Sequence, residues 1–332
     1  MTISRRRALS TLALVPAGLA MPGIVRAQNA PAAGVPRYPV PHVTLVTHSS
    51  PGGGGDVMGR EMIKHLPQIM GVTMAVENVS GAAGARAMTR IATGPTDGSV
   101  VYITTPTHVN TAIMSRPPHG LEHLQALVNI FFDPQYLMVR NESPHKTAAE
   151  MIAAARANPG RQRWGATLPS ALERQLVEQV KRAANINVTA VTHDGGGDML
   201  INVLNGSLEC GIGELQEVLG QIEARRLRLI GVFAPQRVPA TPDVPTMREQ
   251  GVDIVAEKFR GLATARNFSP AAIAAWEAAI PKLVEVPAFK DWITKSALVN
   301  AFMKHEEAKA FEARFVASQR EFFREMGITT RG

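Results

Sequence analysis

The chain has 332 residues, of which 45% are hydrophobic, 5% aromatic and 19% charged, and its formal net charge is +7. That length accommodates about two domains of ~150 residues, and the composition is that of a globular chain, not a disordered one. Arg5, Arg6, Arg7 and Arg26 lie in an N-terminal stretch without acids, so setting these four aside from +7 leaves +3, too mild a balance to imply a nucleic-acid partner.

Met1 to Ala27 reads as a twin-arginine signal peptide. Ser4-Arg5-Arg6-Arg7-Ala8-Leu9 precedes an apolar region, Leu12 to Ile24, too short to span ~30 Å of hydrocarbon comfortably. Val25 and Ala27 fit the small-residue rule for cleavage after Ala27. Such signals are addresses and not anchors, so the mature chain is expected in the periplasm, exported by the twin-arginine route. Residues 28–41, with Pro31, Pro36, Pro39 and Pro41, read as a linker.

The first strand is predicted over Val43-Thr44-Leu45-Val46-Thr47. It runs into Ser49-Ser50-Pro51-Gly52-Gly53-Gly54-Gly55-Asp56 and then an amphipathic run from Val57. Glycines permit positive φ and leave no side chain to block a ligand. Amides at a helix start lack intrahelical partners and face an anion favourably, by about 0.3–1 kcal/mol for the dipole alone. Asp56 stands where an N-cap is expected. A ligand-free turn capped by Asp56 fits the same residues, but the pattern recurs. Val188 to Leu200 again runs strand, Thr192-His193, Asp194 and glycines from Gly195, Asp198 and an apolar helix, predicting two similar lobes that each offer a glycine loop to a shared space.

Between these loops, strands are predicted over 72–78, 100–105 and 163–167, alternating with helices as in a parallel α/β sheet. Residues 130–139 read as an extended crossing segment, and Val252 to Ala265 as a second crossing back. Thr147 starts one helix, and Ser170-Ala171-Leu172-Glu173 reads as a capping box opening another. Short strands follow at 208–213 and 227–233, then a proline-rich surface loop from Pro235 to Pro245, and helices from Pro270 and Glu306. Cys210, the single cysteine, excludes an intrachain disulfide framework, and its apolar neighbours predict a buried thiol.

Familiar catalytic motifs are missing. Asp56 follows Gly55 where a Walker loop needs Lys, and Val57 and Met58 stand where a dinucleotide fingerprint needs glycine. There is no Gly-x-Ser-x-Gly elbow and no His-Glu-x-x-His helix. His119 and His123 read as a surface pair, so no metal and no cofactor are implied. What remains is a set of hydroxyl and amide binders at the C-terminal ends of strands, where open α/β sheets take their ligands: Ser50, Gly52, Gly53, Gly54, Gly55, Asp56, Thr105, Thr107, Thr167, Ser170 and the loop at Asp194 and Gly195. Each also reads singly as a turn residue or cap.

Pro51 to Asp56, Val76-Glu77-Asn78 with Gly81 and Gly84, Asp97-Gly98, Thr107-His108, Asn158-Pro159-Gly160, Gly206 and Thr241-Pro242-Asp243-Val244-Pro245-Thr246 together resemble the substrate-binding proteins of tripartite tricarboxylate transporters, the Bug family, over roughly Val43 to Ile328. The resemblance implies a two-lobed α/β periplasmic binding protein fold, type II-like, with two mixed sheets, flanking helices and crossing hinge strands. One lobe would take residues 42–135 and 256–332, and the other 136–255. It also implies a receptor and not an enzyme, a monomer that closes on a small organic carboxylate and serves membrane permease subunits. Ser50 to Asp56, Thr107-His108 and Thr167 to Ser170 would meet the ligand. Three departures fall at expected contacts: Glu173-Arg174 in place of Thr-His, His193-Asp194-Gly195 in place of Tyr-Lys-Gly, and Glu214 in place of Asp. Arg174 is expected either to pair with a second carboxylate, favouring a di- or tricarboxylate, or to lie outside, paired with Glu178. Asp194 or Glu214 would instead accept an ammonium group, favouring an amino acid. The rival readings are an exported α/β enzyme acting on a carboxylate, for which no nucleophile–base pair is found, and a ligand-sensing subunit of a signalling system.

Overall fold

The computed structural model describes residues 30–256 and 258–325. The expected signal peptide and its cleavage site, the first two residues of the expected linker, and the chain beyond Glu325 lie outside the described residues.

From the N-terminus come β1 (His42–Thr47), α1 (Gly54–Met62), α2 (Leu66–Met70), β2 (Thr73–Asn78), α3 (Ala85–Ala92), β3 (Val100–Thr104), α4 (Pro106–Ser115) and β4 (Leu124–Asp133). There follow β5 (Gln135–Arg140), α5 (Ala148–Ala157), β6 (Arg163–Ala166), α6 (Leu172–Ala183), β7 (Thr189–Thr192), α7 (Gly196–Leu204), β8 (Cys210–Glu214), α8 (Leu215–Glu223) and β9 (Leu227–Val232). The chain ends with β10 (Lys258–Ala265), α9 (Pro270–Val284), α10 (Pro287–Lys295), β11 (Val299–Met303) and α11 (His305–Glu325).

These strands form two mixed sheets. One has the order β11-β4-β10-β3-β1-β2, the other β7-β6-β8-β5-β9. In the first, β1 lies parallel between β2 and β3, and β10 is antiparallel to both β3 and β4. In the second, β6 is parallel to β7 and β8, and β5 is antiparallel to β8 and β9. The chain passes from one sheet to the other at Asp133-Pro134-Gln135. The single expected crossing segment is thus two strands, broken where Pro134 has no N–H for a ladder. It returns through the loop before β10, so β10 belongs wholly to the first sheet.

Burial explains the elements. Leu45 and Val46 point to opposite faces of β1, as pleating demands. Leu45 packs with Met58, Met62 and Trp276, and Val46 with Ala87, Met88 and Ile91. Both faces are covered by helices, as a parallel sheet requires. The second lobe has its own core around Leu137, Trp164, Leu176, Val177, Cys210 and Phe233. Cys210 is buried, and burial pushes its thiol well above the ordinary range.

Three local expectations change. The described part of the expected linker is docked on the first lobe. Val35 and Tyr38 are buried, the Tyr38 hydroxyl donates to Gly98 O at 2.8 Å, and Trp276 Nε1 donates to Tyr38 at 2.9 Å. Ser170 does not cap α6, whose N-cap is Ala171. Its hydroxyl instead lies 2.5 Å from Thr111 Oγ1, while its carbonyl accepts from Asn110 Nδ2 at 2.9 Å, tying α4 to the second lobe. Helix α4, which carries Thr107-His108 in its first turn, and strand β11 were not among the expected elements.

Candidate functional site

The two glycine loops meet face to face. Helix α1 starts at Gly54 behind the N-cap Gly53, and α7 starts at Gly196 behind Gly195. Of the four loop glycines only Gly52 has positive φ (81°), so conformational freedom is not what the others supply. They supply closeness. A Cβ on Gly195 would overlap Ser50 Oγ, and one on Gly197 would sit 2.7 Å from Pro51 O. Asp56 is not the N-cap but lies one turn in. Its carboxylate accepts from Gly52 N at 2.9 Å, Asn78 Nδ2 at 3.0 Å and Arg60 Nε, holding the loop's shape from behind.

Between the loops is a cavity of about 20 Å³, room for roughly one water-sized group. Its floor is ionic. Lys258 and Arg260, two apart on β10, point to the same face and reach across to the second lobe. Lys258 Nζ pairs with Glu173 and Glu214. Arg260 Nε donates to Asp133, and its Nη2 lies 3.1 Å from Glu214 Oε1. Thr167 Oγ1 donates to Glu173 at 2.7 Å, and Gln216 Nε2 to Asp133 at 2.8 Å. From the first turn of α8, Glu217 Oε1 accepts from Gly54 N at 2.5 Å. A Cβ on Gly196 would overlap the same carboxylate. Glu217 therefore bridges the starts of α1 and α7.

Four carboxyl groups thus face two cations. Burial would raise Glu214, yet the charges of Lys258 and Arg260 pull it below the usual carboxylate range. Burial pushes Asp133 up to about 6 against the pull of Arg260. Glu217 is raised well above the ordinary value by burial and by the Glu214 charge. As carboxylates, Glu214 Oε2 and Glu217 Oε2 have no donor. A proton on Glu217 satisfies both through a hydrogen bond between the two carboxyls. Lys258 is held charged because Glu173 and Glu214 outweigh its burial.

His48 lies at the edge of the cavity, with Nδ1 2.8 Å from the Tyr102 hydroxyl and Nε2 3.4 Å from Thr105 Oγ1. Burial, then the charges of His108, Lys258 and Arg260, push its pKa down to about 3. A histidine depressed in the folded state stabilises fully above its unfolded pKa of about 6.5 and loses that contribution as the pH falls towards 3. Between pH 7 and pH 5 the unliganded protein should therefore lose about 2 kcal/mol relative to a His48→Gln variant. Asp133 and Glu217, which titrate in the opposite sense, are common to both proteins. Urea titrations at the two pH values check this, and parallel losses would show that His48 does not stay neutral.

Among the residues singled out from sequence, Gly54, Gly55, Thr105, Thr107, Thr167, Asp194, Gly195 and Glu214 line the cavity. Asp194 is exposed at its mouth. Ser50 is buried against Gly195 with its hydroxyl unpartnered, whereas Gly52 is exposed on the outer turn. His108 turns away, with Nδ1 2.7 Å from Thr105 O and Nε2 3.1 Å from Glu312. Arg174 does not reach the cavity either. Its guanidinium pairs with Glu178 at 2.5 Å one turn along the outer face of α6. The cations of the site are Lys258 and Arg260, which sequence reasoning missed, together with Asp133, Glu217 and His48. Lys258-Phe259-Arg260 carried a usable signal, two charges of one sign at period two inside an apolar strand. Glu217 carried none, because an acid in a helix's first turn is ordinary.

Among the described residues no helix is long and apolar enough to cross a membrane, and no group of three or more His, Cys, Asp or Glu side chains is placed to hold a metal. Comparison with known proteins places the chain. The model of the tripartite tricarboxylate transporter family receptor, TctC, matches residues 58–328. A protein from the gbd 5′ region of Cupriavidus necator is 24% identical over 88% of this chain and 89% of its own length. BugT of Bordetella pertussis is 26% identical over 64% of this chain and 67% of its own. The periplasmic binding protein BugD superposes with a TM-score of 0.82 at 18% identity, covering 88% of this chain and 99% of that one. MatC of Rhodopseudomonas palustris, solved with malate, gives 0.77 at 21% identity over the same shares. A further R. palustris structure, with adipate, gives 0.82 at 21% identity over 87% and 98%. The fold is that of a two-lobed periplasmic binding protein, and the chain belongs to the TctC family of tripartite tricarboxylate transporter receptors.

Proposed function

We propose that this receptor captures a small organic carboxylate in the periplasm, between lobes formed by residues 42–135 with 256–332 and by 136–255, and delivers it to the permease subunits of a tripartite tricarboxylate-type transporter. The observation that carries the reading is the pair of helix starts, at Gly54 and Gly196, converging on one small cavity beside buried Arg260 and Lys258. Helix-start amides and charge-assisted donors together are what a carboxyl group needs, and Glu217 already uses the Gly54 amide in that way. Relatives of this fold have been solved with adipate and with malate, in keeping with a ligand of that size. As a family receptor and not an enzyme, the protein is expected to return its ligand unchanged.

Thermal-shift screening of mono-, di- and tricarboxylates and amino acids tests the reading. A ligand at a hundredfold excess over its Kd should stabilise the protein by about 2.7 kcal/mol. Flat melting curves across the whole panel would reject carboxylate capture. Export by the twin-arginine route belongs to the same proposal, carried by Arg5-Arg6-Arg7 ahead of the apolar stretch. Replacing all three by Lys should strand the protein in the cytoplasm, and normal periplasmic accumulation would reject that route.

A further inference from the structure

We infer that Glu217 sets the ligand class: its carboxylate fills the anion seat between the starts of α1 and α7, so the cleft takes a small amino acid, its ammonium paired with Glu217 and Glu214, in preference to a plain di- or tricarboxylate. This inference rests on the carboxylate reading above and narrows it.

Three observations carry it. The seat is taken, since Glu217 Oε1 accepts the Gly54 amide and the same carboxylate lies against Gly196. A ligand carboxylate arriving there displaces Glu217 into a wall already lined by Glu214. Second, the charge count is wrong for a dianion. With Glu217 protonated, Asp133, Glu173 and Glu214 face only Lys258 and Arg260, an excess of one negative charge. A dicarboxylate raises that excess to three, whereas a zwitterion leaves it unchanged and places its cation among the acids. Third, unpartnered groups point into the site. Glu214 is 1% exposed and its Oε2 accepts from nothing; Glu217 is half-buried as a residue, yet its Oε2 is shielded and equally unpartnered. Two buried carboxyls facing each other need something positive between them, and an ammonium supplies three donors where a proton supplies one.

The ligand's own carboxylate has separate donors. Ser50, packed against Gly195 beside the cavity and not on its wall, is 6% exposed with an unpartnered hydroxyl that parting of the loops uncovers. Arg260 Nη2 lies close to Glu214 without making an aligned hydrogen bond. Because the cavity holds about 20 Å³, less than any amino acid fills, binding requires the lobes to part and re-close. On re-closure the ammonium takes the place of the proton between Glu214 and Glu217.

Calorimetry on ligand pairs that differ by the amino group alone tests this: alanine against propionate, aspartate against succinate, glutamate against glutarate. Each is measured on the wild type and on Glu217→Gln. Glutamine copies the shape and donor of the protonated acid, so the variant should fold, and a melting curve verifies it. In the wild type the best-binding amino acid should exceed its deaminated partner by at least about tenfold, and Glu217→Gln should cut that ratio by about tenfold. Glu217→Asp, which keeps the charge, should keep the preference. A wild type that binds the deaminated acid as tightly, or a ratio unmoved in folded Glu217→Gln, overturns the inference while leaving the carboxylate reading intact. Failure of every member of every pair to bind overturns both.

Discussion

Lys258→Met should destabilise the unliganded protein by about 3–5 kcal/mol, the cost of breaking a buried ion pair from one side. The ammonium of Lys258 is shared by Glu173 and Glu214, and all three side chains are buried. Methionine keeps the stem's apolar packing and removes only the charge. Glu214 retains Arg260 nearby, but Glu173 keeps only the Thr167 hydroxyl. Burial already raises Glu173, and Lys258 is the first force opposing that rise. Without Lys258 its folded pKa climbs further. A carboxyl with a raised folded pKa is least costly below its unfolded pKa and most costly once the pH passes the folded one. The deficit of Lys258→Met should therefore shrink as the pH falls from neutral towards 5. Adding Glu173→Gln should recover part of it at neutral pH, and a double-mutant cycle reads the coupling directly. Urea denaturation at both pH values is the measurement. A loss under about 1 kcal/mol at neutral pH would mean that the cluster is hydrated in solution and behaves as a surface network.

That cluster marks the boundary of what a single sequence exposes. The glycine loops were legible because their signal is local: an apolar strand, glycines, an acid and an amphipathic helix follow one another within about fifteen residues, twice. The two-lobe division was legible from that repetition, whereas the alternating strand and helix periods predicted only a parallel α/β sheet, and the two mixed sheets followed from the family resemblance. Lys258 and Arg260 were not, because their partners Asp133, Glu173 and Glu214 are between 44 and 127 residues away. Only the sheet order, with β10 between β4 and β3, brings them together. Local rules also misplace neighbours. Ser170-x-x-Glu173 has a capping-box spacing, yet Ser170 bonds Thr111 and Glu173 bonds Lys258, because partners across the lobes outcompete a cap worth about 1 kcal/mol. Arg174 shows the converse. A cation early in a helix invites a ligand anion, but the i,i+4 partner Glu178 was already present.

Gly54→Ala should weaken ligand binding by about ten- to a hundredfold, and it separates the cleft's chemistry from its fold. A Cβ at this position overlaps the Arg260 guanidinium. Arg260 is 1% exposed and anchored by Asp133 and Glu214, so it has little freedom to swing aside. Overpacking of this kind costs about 1–3 kcal/mol. The gain from replacing glycine by alanine in a helix is at most about 1 kcal/mol, so the net effect on stability should be a modest loss. The effect on affinity should be larger. A displaced guanidinium forfeits a charge-assisted hydrogen bond to the ligand worth about 1.5–3 kcal/mol, and each 1.4 kcal/mol is a factor of ten. Gly52→Ala is the matched control. Its positive φ of 81° strains an alanine, but no atom lies within 4 Å of the added methyl and the residue is outside the cavity. It should lose about 1–2 kcal/mol of stability and keep its affinity. Calorimetry and melting curves on the two variants together distinguish the cases. Unchanged affinity in a folded Gly54→Ala protein would show that the ligand is held without Arg260, and would move the carboxylate seat away from β10.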